Sequence, residues 1–134
     1  ANTYSASAFA ELLEDQLGAS RMLDAAVSAD GVSATKVFCA AALVSTSPPL
    51  PFLFRNFVHA PDRPSRYPGM AGARAWEALR ASTAAPGYFE PVVLGRGDAR
   101  LTLADGALLH NNPTSLALHE AGCLWPERPL GQIV

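Results

Sequence analysis

The chain has 134 residues, of which 49% are hydrophobic and 16% charged, and its formal net charge is -2. That length suits one domain with a real core, and that hydrophobic share excludes a chain disordered throughout. Without a basic excess there is no electrostatic footprint for DNA or RNA, so nucleic-acid binding is set aside.

From Ser7 to Leu17 apolar residues recur with the helical period. Phe9, Leu12, Leu13, Gln16 and Leu17 share one face and Glu11, Glu14 and Asp15 point away, with Ser7 as N-cap and Gly18 as the stop. Ala19 to Ala26 predicts a second short helix with Met22, Leu23 and Ala26 inward, and Ser28 to Thr35 a loop. Lys36 to Thr46 is apolar on both alternating faces, the pattern of a central strand covered by helices on both sides, which favours a layered α/β fold. Its longest apolar run, Val37 to Val44, falls far short of the roughly 18 residues that span a bilayer.

A proline-rich break at Ser47 to Pro51 leads into a predicted strand, Phe52 to His59, with Phe52, Phe54 and Asn56 on one face. Ala60 to Gly72 reads as an irregular surface loop, and Gly72 to Ser82 as a helix on which Ala73, Trp76, Leu79 and Arg80 cluster. The small residues from Ser82 to Gly87 permit close approach of backbone or ligand. Leu101 to Ala104 alternates as a strand, Asp105-Gly106 turns on a glycine, and Leu108-Leu109 pack back inward. Asn112 caps, and Pro113 opens, a helix through Ala121, and Leu130 to Val134 predicts a further buried strand. The chain opens on Ala1 rather than a start methionine, shows no leader peptide, and stops as an apolar run begins, so it is expected to be a piece of something longer.

Asp105 is the best candidate reagent. A carboxylate at the end of a strand, on a loop at the edge of an open sheet, lies where layered α/β folds bind ligands, and it can serve as a general base. Asp-Gly is equally the signature of a plain turn. Asn111 and Asn112 can orient a carboxylate or a substrate group, although capping alone accounts for Asn112. His59, His110 and His119 form no triad by spacing, with His119 on the polar side of its helix. No His-x-x-x-His or Cys-x-x-Cys pair exists to hold a metal, and Cys39 and Cys123 read as buried free thiols.

A serine elbow of the form Gly-x-Ser-x-Gly is absent. The runs Gly18-Ala19-Ser20-Arg21-Met22 and Gly31-Val32-Ser33-Ala34-Thr35 both lack the second glycine, and no glycine-rich run offers an oxyanion site. Arg55, Arg63, Arg66, Arg74 and Arg80 stand among Phe52, Phe54, Phe57 and Tyr67 against only Asp62 and Glu77. Such a stretch reads either as a surface for anionic membrane headgroups or as a solvated face over a phenylalanine core.

Three ordered segments, the small-residue run Ser82 to Phe89, then Asp105-Gly106-Ala107, then Asn111-Asn112-Pro113, resemble the patatin-like phospholipase family. Phe54-Arg55-Asn56-Phe57, Trp76 to Ser82 and His119 to Pro126 extend that resemblance over most of the chain, toward the family's calcium-independent branch. The resemblance implies a three-layer α/β/α fold, incomplete, of which residues 1–134 are the C-terminal part. It implies a serine-aspartate dyad that cleaves lipid acyl esters, with Asp105 as the aspartate, Gly106 and Ala107 completing its motif, and Asn111 and Asn112 supporting the loop. It further implies no cofactor and no metal, a phospholipid or other acyl-lipid substrate, a peripheral membrane surface, and an intracellular site at the endoplasmic reticulum, mitochondrion or peroxisome.

In that family the oxyanion loop and the serine elbow belong N-terminal to Ala1, so this chain would hold only the base half of the site. A non-catalytic patatin-like fragment that binds lipid or a protein partner is the alternative, and an unrelated small-ligand α/β domain is a third. An isolated half sheet with an open edge and an uncovered apolar face is expected to aggregate.

Overall fold

The computed structural model describes residues 2–26, 31, 34–129 and 131. The strand expected at Leu130 to Val134 and most of the loop at Ser28 to Thr35 lie outside the described residues. Strands β1 (Phe38–Leu43), β2 (Leu50–Arg55), β3 (Gly69–Met70), β4 (Val92–Leu94) and β5 (Leu101–Asp105) make one sheet in the order β3-β2-β1-β5-β4. β1 runs antiparallel to β2 and β5, β4 antiparallel to β5, and β3 parallel to β2. The middle of the sheet thus falls on β1, whose apolar character on both faces requires cover on both sides.

Register settles which residues share a face, because side chains alternate along a strand and directly paired residues point the same way. Ala41 pairs with Phe52 and with Asp105, and Leu43 with Leu103. On that face the core gathers Ala41, Leu43, Phe52, Phe54 and Leu103 against Ala78 and Ala81 of helix α2 (Ala75–Ser82), with α1 (Ala6–Leu17) packed on α2. The opposite face carries Ala42, Leu53, Arg55 and Ala104, and is covered by α4 (Thr114–Leu124) through Leu116 and Glu120, one turn apart. Leu53, Phe54, Leu103 and Leu116 are fully buried, each worth about 1.5–3 kcal/mol of apolar transfer. Helices on both faces of a mixed sheet make this an α/β fold.

Several boundaries differ from the sequence pattern, each for a local reason. Ser5, not Ser7, caps α1: its side chain accepts from the Ala8 N–H, while Ser7 only bonds the Ser5 hydroxyl. Leu12 is 56% exposed and Gln16 lies outward, so α1 turns Phe9, Ala10, Leu13 and Leu17 toward α2 instead. Gly18 ends α1 at φ 63°, a value that favours glycine. Met22–Ala26 is a 3-10 turn that buries Met22 and leaves Leu23 exposed. β2 begins at Leu50, with Pro51 opposite Ala42, and ends at Arg55, so the buried Asn56 lies past the strand, its side chain bonded to Val37 N–H, Ala25 C=O and Thr35 C=O. α2 starts at Ala75, where the Glu77 carboxylate accepts the Arg74 N–H, and α4 starts after Pro113 and runs to Leu124. β4 matches no expected strand, although Val92-Val93-Leu94 followed by Gly95 carries a weak signal for one.

Candidate active site

Asp105 closes β5, and the chain turns at Gly106 into α3 (Ala107–His110), a single helical turn. Two backbone hydrogen bonds hold the turn to the small-residue run that begins at the last residue of α2: Asp105 N–H donates to Ala84 C=O at 3.0 Å and Gly106 N–H to Ser82 C=O at 3.4 Å. The Asp105 carboxylate is half-buried, and its Oδ1 accepts the Ala107 N–H at 2.7 Å. That bond fixes the side chain's rotamer and leaves Oδ2 without a hydrogen bond among the described residues. One oxygen orients and the other is available.

Gly106 is required here for closeness, not for turning. Its φ of -62° and ψ of -27° suit any residue, which corrects the expectation of a glycine-dependent turn. A Cβ on Gly106 would instead lie 2.3 Å from the Ala40 carbonyl oxygen and 2.7 Å from its carbon, because the turn presses against β1. The helix after it also departs from expectation: Leu108 is 52% and Leu109 39% exposed, since α3 is too short to fold them back onto the sheet.

The carboxylate opens on a cleft of about 350 Å³ lined by Cys39, Ala40, Ser82, His110, Asn111 and Pro113 among others. Asn111 lies exposed at its rim, and its side chain bonds no described residue. Asn112 faces the next helix, its Oδ1 accepting from Thr114 N–H at 3.0 Å and from the Thr114 hydroxyl at 2.6 Å. Cys39 and Cys123 are free and half-buried, and burial pushes the Cys39 thiol up, so it stays protonated and a poor nucleophile. His110 lies in the cleft with its Nδ1 buried and unbonded.

The basic stretch divides between surface and interior. Arg63, Arg66 and Arg74 are at the surface, but Arg55 and Arg80 are buried, which removes both from any headgroup-facing patch. Arg80 donates to Glu90 C=O at 2.8 Å with its guanidinium over the Phe89 ring. Arg55 donates Nε to Glu120 Oε2 at 2.6 Å and Nη2 to Oε1 at 3.0 Å. His59 Nε2 meets the same carboxylate at 2.7 Å, and the Ser65 hydroxyl donates to it as well. Burial alone would raise the Glu120 pKa, but hydrogen bonds from Arg55, Ser65 and His59, with the Arg55 charge, hold it down at about 2.

This serine, histidine and carboxylate do not form a triad, because Ser65 bonds the carboxylate directly and not the imidazole. They tie β2 and the 59–67 loop to α4. Sequence reasoning missed the cluster because Arg55 and Glu120 are 65 residues apart and nothing in either neighbourhood marks the pairing. His119, expected on a polar face, is half-buried: it accepts the Arg66 N–H at 3.2 Å and packs edge-on against Tyr67.

A mixed sheet with helices on both faces, one strand of which ends on a carboxylate that lines a cleft, defines an α/β domain. The profile of the patatin-like phospholipases matches residues 2–118, and the chain belongs to that family. It is 39% identical over 132 residues to calcium-independent phospholipase A2-gamma of Mus musculus and, to the same degree, of Homo sapiens, a match covering 98% of this chain and 16% of each relative. Phospholipase A I of Arabidopsis thaliana is 28% identical over 160 residues, covering 98% of this chain and 12% of that protein. The chain therefore spans only about a sixth of the length of the first of these relatives, 16%.

Proposed function

We propose that residues 1–134 are the C-terminal part of one patatin-like phospholipase domain, and that the parent protein hydrolyses acyl esters of phospholipids or other acyl lipids. Asp105 is the general base of a serine-aspartate dyad, and the serine is supplied by sequence N-terminal to Ala1. The observation that carries this reading is the state of the Asp105 carboxylate, which lines the cleft with Oδ1 held by Ala107 N–H at 2.7 Å and Oδ2 unbonded among the described residues.

In this chemistry the serine hydroxyl gives its proton to Asp105 as its oxygen attacks the acyl carbonyl carbon. The ester C–O bond then breaks, the proton passes from Asp105 to the departing alcohol, and the acyl group remains on the serine. Water attacks that second ester, giving its proton to Asp105; the bond between the acyl carbon and the serine oxygen breaks, Asp105 returns the proton to that oxygen, and the fatty acid leaves. Gly106 and Ala107 keep the base in place, the first by fitting under Ala40 and the second by its N–H. Asn112 supports the loop by anchoring the start of α4, and Asn111 stands at the cleft rim.

The setting is an intracellular membrane surface that presents the lipid. Among the described residues no helix is long and apolar enough to cross a membrane. In the whole protein Asp105→Asn should lower turnover of phosphatidylcholine vesicles by about 10²- to 10⁴-fold, the usual contribution of a general base. Full hydrolysis by that variant would sink the assignment.

For the 134 residues alone, a lipid- or protein-binding scaffold without catalysis is favoured by the lack of any Gly-x-Ser-x-Gly run. Reading the sequence encoded upstream of Ala1 separates the two: a serine elbow there supports the enzyme, and none supports the scaffold.

A further inference from the structure

We infer that Arg80 is a positioning residue for the Asp105 base, acting through the run of residues 83–90 that it fastens to α2; this rests on the dyad reading above. Asp105 takes its place from that run and the helix end before it. Its N–H donates to the Ala84 C=O at 3.0 Å and the Gly106 N–H to the Ser82 C=O at 3.4 Å, so the backbone that carries the carboxylate goes where Ser82 and Ala84 go. Ala84 is fully buried, so its carbonyl moves only if the packing around it moves.

The run is closed at both ends on the last turn of α2. At its start the Thr83 N–H and hydroxyl donate to the Leu79 C=O at 3.1 Å and 2.8 Å. At its end the Arg80 guanidinium donates Nη2 to the Glu90 C=O at 2.8 Å and lies over the Phe89 ring, 5.2 Å from its centroid. Between the two fastenings the chain folds on itself, the Ala85 C=O accepting both the Tyr88 and the Phe89 N–H, at 3.0 Å and 2.9 Å. The Thr3 and Tyr4 N–H groups donate to the Gly87 and Tyr88 C=O, and Phe9 stacks on Phe89. Those contacts tie the run to the N-terminal residues, whereas Arg80 ties it back to α2.

Net stability does not account for a guanidinium here. Arg80 is 4% exposed, its Nη1 is buried without a described partner, and no described carboxylate forms an ion pair with it. Burial lowers its pKa from the ordinary arginine value, and the Glu90 charge offsets that only in part. A buried cation with an idle donor is costly, and an apolar side chain of similar length would fill the space without that cost. What an apolar side chain lacks is direction: it cannot hold the Glu90 C=O at a bonded distance or set a charge over the Phe89 ring. The guanidinium thus fixes the run from which Asp105 is held, and a base displaced by about 1 Å loses about 10²-fold in rate.

Arg80→Met in the whole protein removes the clasp and keeps the bulk. With a soluble short-chain phosphatidylcholine, kcat should fall by about 10- to 100-fold and KM stay within about twofold, because the base is misplaced and substrate binding is untouched. The urea midpoint should stay within about 0.5 M of that of the unsubstituted protein. Hydrogen exchange of the Asp105 and Gly106 amides should quicken by about tenfold or more while the amides of β2 keep their rates. A role in stability alone would instead lower the midpoint and quicken the β2 amides too, with kcat per folded molecule preserved. That result, an unchanged kcat, or unchanged exchange at Asp105 and Gly106 overturns the proposal. If Arg80→Met does not fold, Arg80→Gln, whose side chain stops short of the Glu90 C=O, carries the same readouts. Asp105→Asn assayed alongside keeps the two readings apart: its full activity refutes the dyad, whereas exchange at Asp105 and Gly106 in the Arg80 variants decides the clasp without any turnover.

Discussion

Replacing Glu120 by alanine should destabilise the domain by about 3–5 kcal/mol, the cost of stranding one partner of a buried ion pair. Glu120 is 2% and Arg55 6% exposed, so the substitution leaves the buried Arg55 guanidinium without a counter-charge and with only the Tyr67 C=O as a described partner, and His59 and Ser65 lose their acceptor too. In urea, with a slope near 2 kcal/mol per molar, the midpoint of the complete domain should fall by about 2 M with the slope unchanged. The pH dependence gives an independent measure. The Glu120 pKa stands at about 2 against an ordinary 4.5, which corresponds to about 3 kcal/mol of stability.

Because the folded value is the lower one, that stability is fully present above about pH 4.5 and drains away as pH falls toward 2. Glu120→Gln should therefore flatten the stability profile in that window. Replacing the pair together, Arg55→Met with Glu120→Leu, should cost far less than Glu120→Ala, because it leaves no uncompensated charge. A loss under about 1 kcal/mol in Glu120→Ala, or an unchanged acid profile in Glu120→Gln, would show that the network contributes little and refute the reasoning.

Gly106→Ala puts a Cβ 2.3 Å from the Ala40 carbonyl oxygen, so the turn must shift. A loss of about 1–3 kcal/mol in thermal unfolding is expected together with a fall in ester hydrolysis, and an unchanged variant would show that the contact yields freely. Asn112→Ala removes the acceptor for the Thr114 N–H and hydroxyl, and should cost about 1 kcal/mol in urea unfolding with hydrolysis retained. The isolated 134 residues expose Val58 at 71%, Tyr4 at 58%, Leu12 at 56% and Leu108 at 52%, and are expected to self-associate in sedimentation. A monodisperse monomer that unfolds cooperatively would contradict this.

The periodicity of the chain was enough to find β1 as the central strand, α1 and α2 as helices, and Asp105 at the end of β5, because burial on one face or two is written in neighbouring residues. The order of the Ser82 to Phe89, Asp105-Gly106-Ala107 and Asn111-Asn112-Pro113 segments was likewise enough to reach the family. Caps and ends were less legible: Ser5 and Ser7 are chemically the same, and only the path of the chain selects Ser5 as the acceptor for Ala8 N–H. What pattern could not supply was contact between distant residues. Arg55 looks like one more surface arginine until β2 and α4 meet and bury it on Glu120. Gly106 looks like a turn glycine until β5 is paired with β1, which brings the Ala40 carbonyl within reach of a Cβ. Periodicity is a local property of the chain, whereas a buried ion pair and a close approach are properties of surfaces that only folding brings together.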